Sequence, residues 1–206
     1  MPASATLRYN AMRIGIFGGS FNPVHNGHIA LARRAKEVFE LDKVVFMPAG
    51  NPYQKSKTLP IEVRKEILRV ALKDEFEISD LESDETKKTY SADTFEYLHK
   101  KYPMDTFYFI LGYDCLENFA SWVDPGRILA NCEIIAASRD GASTEELQKT
   151  ADSITARFGG KINIMEFPDI HISSTMIRNR ANGGASLIGF LPKEAADLIV
   201  SREYYR

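Results

Sequence analysis

Between Gly18 and His28 the chain reads Gly-Gly-Ser-Phe-Asn-Pro-Val-His-Asn-Gly-His. These residue types at this spacing suit one task, holding phosphate. Gly18 and Gly19 can turn tightly and bring backbone N–H groups close to an anion. His25 and His28 stand three apart around a glycine, at or just before a run that reads as a helix, Ile29–Phe39. Imidazoles so placed can donate hydrogen bonds to phosphoryl oxygens, and histidine can carry charge near neutral pH. An apolar run, Ile14–Phe17, comes just before. Strand, glycine turn and helix start, in that order, put amides and a helix N-terminus in front of a phosphate. The stretch therefore reads as a site for a nucleoside triphosphate. A plain tight turn would explain the glycines but not the paired histidines. A metal site would need a third His or Cys nearby, and none stands there.

A second cluster is Ile172-Ser-Ser-Thr-Met-Ile-Arg178. Its bland reading is a helix N-cap rich in hydroxyls. Its functional reading is a second phosphate cradle: Ser173, Ser174 and Thr175 offer hydroxyls and amides, and Arg178 adds a planar donor fork. Trp122, the single tryptophan, falls in a turn, Ala-Ser-Trp-Val-Asp-Pro, where an exposed indole face could stack on a ring. Asp114 could cap a helix or accept hydrogen bonds from ribose hydroxyls. Lys55 lies in a loop where most lysines are simply solvated. The acidic run Asp80–Glu85 and His99 read as surface, and His171 is a weak candidate beside the serines.

The elements that must position these residues alternate along the chain. Strands are expected over Met12–Phe17, Lys43–Pro48, Phe76–Ser79, Thr106–Leu111, Glu133–Ala137 and Lys161–Phe167. Helices are expected over His28–Phe39, with Leu31, Ala35 and Val38 as its buried stripe, and over Ile61–Lys73. Further helices run from a Ser91 cap to Tyr102, from an Asp124-Pro125 start to Asn131, and over Thr144–Phe158 behind a Ser143/Glu146 capping box. The last two run from Ser173 or Ser174 to Asn182 and from Pro192 to about Tyr204. Ala49–Pro60 and Asp80–Thr89 read as loops. Such alternation predicts an α/β fold: one domain with a Rossmann-like, doubly wound parallel sheet and helices on both faces. Ligands of such sheets bind beyond the carboxyl ends of the strands. Gly18–His28, Pro52–Lys55, Gly112–Asp114 and Ser173–Arg178 all fall there.

The chain has 206 residues, 26 Lys and Arg against 28 Asp and Glu, and a net charge of −2. That balance gives no general case for a nucleic-acid surface. No apolar run approaches the ~20 residues that span a bilayer, so no membrane partner is expected. Two cysteines, Cys115 and Cys132, are too few for a disulfide framework and point to a reducing, cytoplasmic setting. Residues 1–11 are expected to be a disordered leader, and 12–206 the folded domain. A homo-oligomer is compatible with the sequence, which does not specify one.

Together, the residues above resemble the nucleotidyltransferases with a His-x-Gly-His signature. Within that superfamily the chain is similar to bacterial nicotinate-nucleotide adenylyltransferases. The likeness covers nearly all of Met12–Tyr205: Gly18–His28, the loop Pro48–Lys55, Tyr90-Ser-Ala-Asp-Thr94, Leu111-Gly-Tyr-Asp114 with Trp122, Ile172–Arg178, and the closing Leu191-Pro192 helix. The resemblance implies transfer of AMP from ATP to nicotinate mononucleotide, with magnesium held mainly by the ATP phosphates and no covalent intermediate. It implies that His25, His28 and Arg178 are catalytic. Gly18, Gly19, Ser20, Phe21, Gly112, Asp114, Ser173, Ser174, Thr175 and Ile177 would bind ATP. Lys55, Tyr90, Ser91 and Trp122 would bind the mononucleotide, with no side chain as a metal ligand. Two departures stand out. Asn22 occupies a position where many members carry Asp, and Pro52-Tyr53-Gln54-Lys55 replaces Pro-Pro-His followed by a basic residue. Rival readings are a transferase acting on pantetheine phosphate or nicotinamide mononucleotide, and a nucleotide-binding sensor without turnover.

Overall fold

The structure is a computed structural model that describes residues 11–52, 58–138, 144–168 and 170–206. Its centre is β1 (Arg13–Gly19), flanked in parallel by β2 (Lys43–Pro48) and β4 (Thr106–Leu111). β3 (Glu77–Ile78) lies outside β2, and β5 (Glu133–Ala137) and β6 (Ile162–Met165) follow β4. The sheet order is β3-β2-β1-β4-β5-β6, with every pair parallel.

Successive side chains of a strand point to opposite faces, and both faces here are apolar. Val44, Phe46, Tyr108, Ile110 and Ile135 face one core. Ile14, Ile16, Val45, Phe107, Phe109 and Ile134 face the other. The first core is closed by α1 (Asn26–Val38), α2 (Ile61–Leu72), α7 (Ser174–Asn182) and α8 (Lys193–Ser201). The second is closed by α3 (Ser91–Lys101), α4 (Tyr113–Asn118), α5 (Pro125–Asn131) and α6 (Thr144–Phe158). The chain thus changes face between β1 and β4. That is the topological switch point, where such sheets open a crevice.

Gly15, at the middle of β1, is needed for packing. A Cβ there would sit 2.8 Å from Leu41 and 3.0 Å from Ile110. Several boundaries differ from the sequence expectation. β1 runs on through Gly18 and Gly19, which pair with Met47 and Pro48, so the glycines end a strand before they begin a turn. The first helix starts at Asn26, with His25 as its N-cap, and its Val38 is 43% exposed rather than buried. Tyr90, not Ser91, is the N-cap of α3. α4 was not foreseen, because its six residues are too few to show a period. The last helix stops at Ser201, and β6 is shorter than Lys161–Phe167. Ser143 of the expected capping box lies outside the described residues.

Candidate active site

Two cavities open at the carboxyl ends of β1 and β4, one beside each core. The larger, about 310 Å³, is lined by Gly18, Gly19, Ser20, Tyr90, Ser91 and Trp122, among others. Its size falls within the range of small-molecule sites. Trp122 follows the 3-10 turn Phe119–Ser121 and is half-buried. Its indole packs on Phe109 and Phe119, with ring centroids 5.9 and 5.5 Å apart. That packing holds the indole as a fixed wall of the cavity rather than a freely exposed face. Arg127 of α5 ties this wall to α3, bonding Asp93 at 2.6 Å and Glu96 at 3.1 Å. Tyr90 and Ser91, at the start of α3, form the facing side.

The acidic loop expected to be mere surface contributes Glu82 to the same cavity. Its Oε1 accepts from the Thr94 hydroxyl at 2.6 Å. Burial pushes the Glu82 carboxyl above its ordinary range, and the Thr94 hydrogen bond opposes that shift.

The smaller cavity, about 130 Å³, is lined by His25, Gly27, His28, Gly112, Tyr113 and Ile172, among others. The His25 and His28 rings stack with centroids 3.6 Å apart. The His25 backbone N–H donates to Nδ1 of His28 at 3.2 Å, which leaves the proton of a neutral His28 ring on Nε2. The glycine between them has a steric reason. A Cβ on Gly27 would lie 3.1 Å from Nδ1 of His25. His25 is 8% exposed, and its Nδ1 is buried without a hydrogen-bond partner among the described residues. Burial pulls its pKa down to about 4. This runs against the expectation of charge at neutral pH: burial favours the neutral, hydrogen-bonding form of the His25 ring.

The serine turn meets the glycine stretch directly. Ser173 caps α7 by accepting from Met176 N–H at 3.2 Å. The Ser174 hydroxyl donates to the Pro23 carbonyl at 2.8 Å. Arg178 donates to the Asn22 carbonyl and the Thr175 hydroxyl, each at 3.0 Å. Asn22 is itself buried, and its Oδ1 accepts from Leu59 N–H and the Tyr205 hydroxyl.

The structure sorts the sequence-predicted residues. Gly18, Gly19 and Ser20, expected beside ATP, line the Trp122 cavity at its border with β1. His25, His28 and Gly112 line the other cavity, and Ser174 and Arg178 are bonded to the loop that carries the histidines. Phe21 and Ile177 are 2% and 0% exposed, and both side chains belong to the core. Only their backbones could touch a ligand. Asp114 is exposed on the first turn of α4, whose N-cap is Gly112, and His171 and His99 are exposed. Lys55 lies outside the described residues, as do Tyr53 and Gln54.

Two residues escaped the sequence reading. One is Glu82. The other is Arg64, fully buried beneath the larger cavity. A signal existed for it: Arg64 falls in the buried row Ile61, Arg64, Leu68, Ala71 of α2, at helical spacing. Among the described residues no three His, Cys, Asp or Glu side chains form a metal-binding group, and no helix is long and apolar enough to cross a membrane.

Known proteins share this arrangement. The sequence profile of the Cytidylyltransferase-like family matches residues 16–180. A protein of Carboxydothermus hydrogenoformans named "Probable nicotinate-nucleotide adenylyltransferase" is 40% identical over 197 residues, covering 94% of this chain and 98% of its own length. A protein of the same name from Geobacter metallireducens is 35% identical over 212 residues, again covering 94% and 98%. Among solved structures, the nicotinic acid mononucleotide adenylyltransferase of Plasmodium falciparum, complexed with NaAD, superposes with a TM-score of 0.79 at 19% identity. That match covers 94% of this chain and 97% of the other, and it bears on the fold alone. The profile spans most of the chain and the relatives are 35–40% identical over nearly its full length, so the chain belongs to the Cytidylyltransferase-like family and, within it, to the nicotinate-nucleotide adenylyltransferases.

Proposed function

We propose that this protein transfers AMP from ATP to nicotinate mononucleotide, releasing pyrophosphate. The observation that carries the reading is the pair of cavities at the carboxyl ends of the central strands β1 and β4. One has an indole wall suited to a flat pyridine ring, and the other holds two imidazoles next to a serine-capped helix. The relatives' names point the same way.

In this reading the mononucleotide phosphate attacks the α-phosphorus of ATP, and the bond to the departing pyrophosphate breaks. That phosphate is already anionic at pH 7, so no general base is required. The protein's work is positioning and charge stabilisation. His28, whose Nδ1 is occupied by a backbone donor, presents Nε2–H to a phosphoryl oxygen. His25 is neutral and acts as a hydrogen-bond partner. Positive charge falls to Arg178, which is also anchored to Asn22 and Thr175. Ser173, Ser174 and Thr175 hold the outer phosphates, Gly112 and Asp114 the adenosine ribose, and Lys55 the mononucleotide phosphate. No side-chain cluster suited to a resident metal is present among the described residues. Magnesium would therefore enter with the triphosphate and neutralise its oxygens.

Pyrophosphate release from ATP is the test, measured with nicotinate mononucleotide, nicotinamide mononucleotide and pantetheine phosphate. The acid should be the preferred acceptor. Preference for either of the others would reassign the substrate, and release with none would leave a binding protein. Trp122→Ala should raise KM for the mononucleotide more than KM for ATP. The opposite selectivity would remove Trp122 from the pyridine pocket.

A further inference from the structure

Arg64 lies in the first turn of α2 with no exposed surface. A buried guanidinium is expensive unless its donors are satisfied, and here backbone carbonyls take four of its five N–H groups. Nε donates to Leu59 O at 2.8 Å, and Nη1 donates to Ser20 O at 2.7 Å and to Ala49 O at 2.8 Å. Nη2 donates to Gly50 O at 3.2 Å. The four acceptors come from three separate segments: the end of the glycine stretch, the chain leaving β2, and the approach to α2. The Leu59 peptide is gripped from its other side as well, since its N–H donates to Oδ1 of Asn22.

The placement of those acceptors is selective. Ser20 and Ala49 line the Trp122 cavity, as do Asn51 and Pro52 just beyond Gly50. Neither Ser20, Ala49, Gly50 nor Leu59 lines the cavity of His25 and His28. We propose that Arg64 is a positioning residue for the acceptor: its planar fork fixes the distance between the Gly19–Ser20 wall and the Ala49–Pro52 wall of the pyridine mononucleotide cavity. It touches no reacting atom. A lysine would keep the charge but offers one compact ammonium in place of a fork, and cannot span three segments in the same plane. The proposal rests on reading the larger cavity as the acceptor site.

Wild type, Arg64→Lys and Arg64→Gln are compared by pyrophosphate release, with KM measured separately for ATP and nicotinate mononucleotide. Folding is checked by near-UV circular dichroism. Both variants should raise the mononucleotide KM by about tenfold, as expected when a cavity wall shifts by a fraction of an ångström. KM for ATP should rise clearly less, because none of the Arg64 acceptors lines the histidine cavity. Three results would overturn the idea: Arg64→Lys matching wild type, both KM values rising together, or Arg64→Lys failing to fold, which would assign Arg64 to stability alone. Loss of Arg64→Gln to misfolding leaves Arg64→Lys to decide. Failure of the functional reading shows separately, as wild type inactive with nicotinate mononucleotide. The KM comparison then uses whichever acceptor the panel identifies, and if none turns over, quenching of the single tryptophan by each mononucleotide replaces it.

Discussion

His25 shows how far burial can redefine a residue whose type suggested a cation. Its ring stacks on His28 and is almost closed to solvent, so protonation would put a charge into an apolar slot beside a second imidazole. In the proposed reaction this pair would act through aimed hydrogen bonds. His25→Ala or His28→Ala should each reduce turnover by about a hundredfold or more, the scale of losing one transition-state donor. Near-normal pyrophosphate release in both variants would refute the assignment. The same burial predicts a pH effect on stability. Below about pH 6.5 the unfolded imidazole takes up a proton that the folded one refuses until about pH 4, so the unfolded chain binds more protons and stability falls as pH drops through that window. The loss is on the order of 3 kcal/mol once pH falls below about 4. His25→Asn should remove that component, so urea midpoints of variant and wild type should converge or cross between pH 7 and pH 4.5. Parallel pH responses would show that the ring is not held neutral.

At the scale of elements, the Trp122 cavity depends on two loops closing against each other. The Gly50 N–H donates to the Glu82 carbonyl at 2.7 Å. A Cβ on Gly50 would fall 2.6 Å from the Ser83 carbonyl carbon and 2.7 Å from that of Asp84. Backbone cannot rotate away as a side-chain tip can, so Gly50→Ala must push the acidic loop outward. It should cost about 1–3 kcal/mol in denaturant unfolding, the usual range for overpacking. It should also weaken mononucleotide binding more than ATP binding, because Glu82 and Asn51 move with the loop. Unchanged stability and KM would mean that the loops are not in register contact. The sequence showed both segments as loops, from Gly50, Pro52 and the acidic run, but not that they meet. Their contact joins residues some thirty positions apart, and no local pattern encodes it. The short α4 was equally invisible, whereas the longer helices announced themselves by apolar spacing.

For the whole molecule, the change of face between β1 and β4 is what joins distant segments into one site. The two thiols both lie on the face of α4 and α5 and differ in burial. Cys132 is buried, which pushes its thiol pKa up, while Cys115 is exposed and lines the Trp122 cavity. A thiol reagent should therefore label one cysteine quickly in the folded protein and the second only on unfolding. Nicotinate mononucleotide should slow the fast labelling more than ATP does. Equal protection by ATP would place Cys115 outside the acceptor cavity. The primary sequence by itself determined the order of strands and helices, since burial on both faces demands unbroken apolar strands and amphipathic helices between them. It also pointed to phosphate-binding chemistry, because glycines, paired histidines and clustered hydroxyls are local and contiguous. Only the tertiary structure decided that His25 is buried and its pKa lowered, that Phe21 and Ile177 are core, that Glu82 lines the Trp122 cavity, and that Arg64 binds backbone carbonyls beneath it. Each of those outcomes depends on solvent exclusion and on hydrogen bonds between segments far apart in the chain, and neither exists until the sheet has assembled.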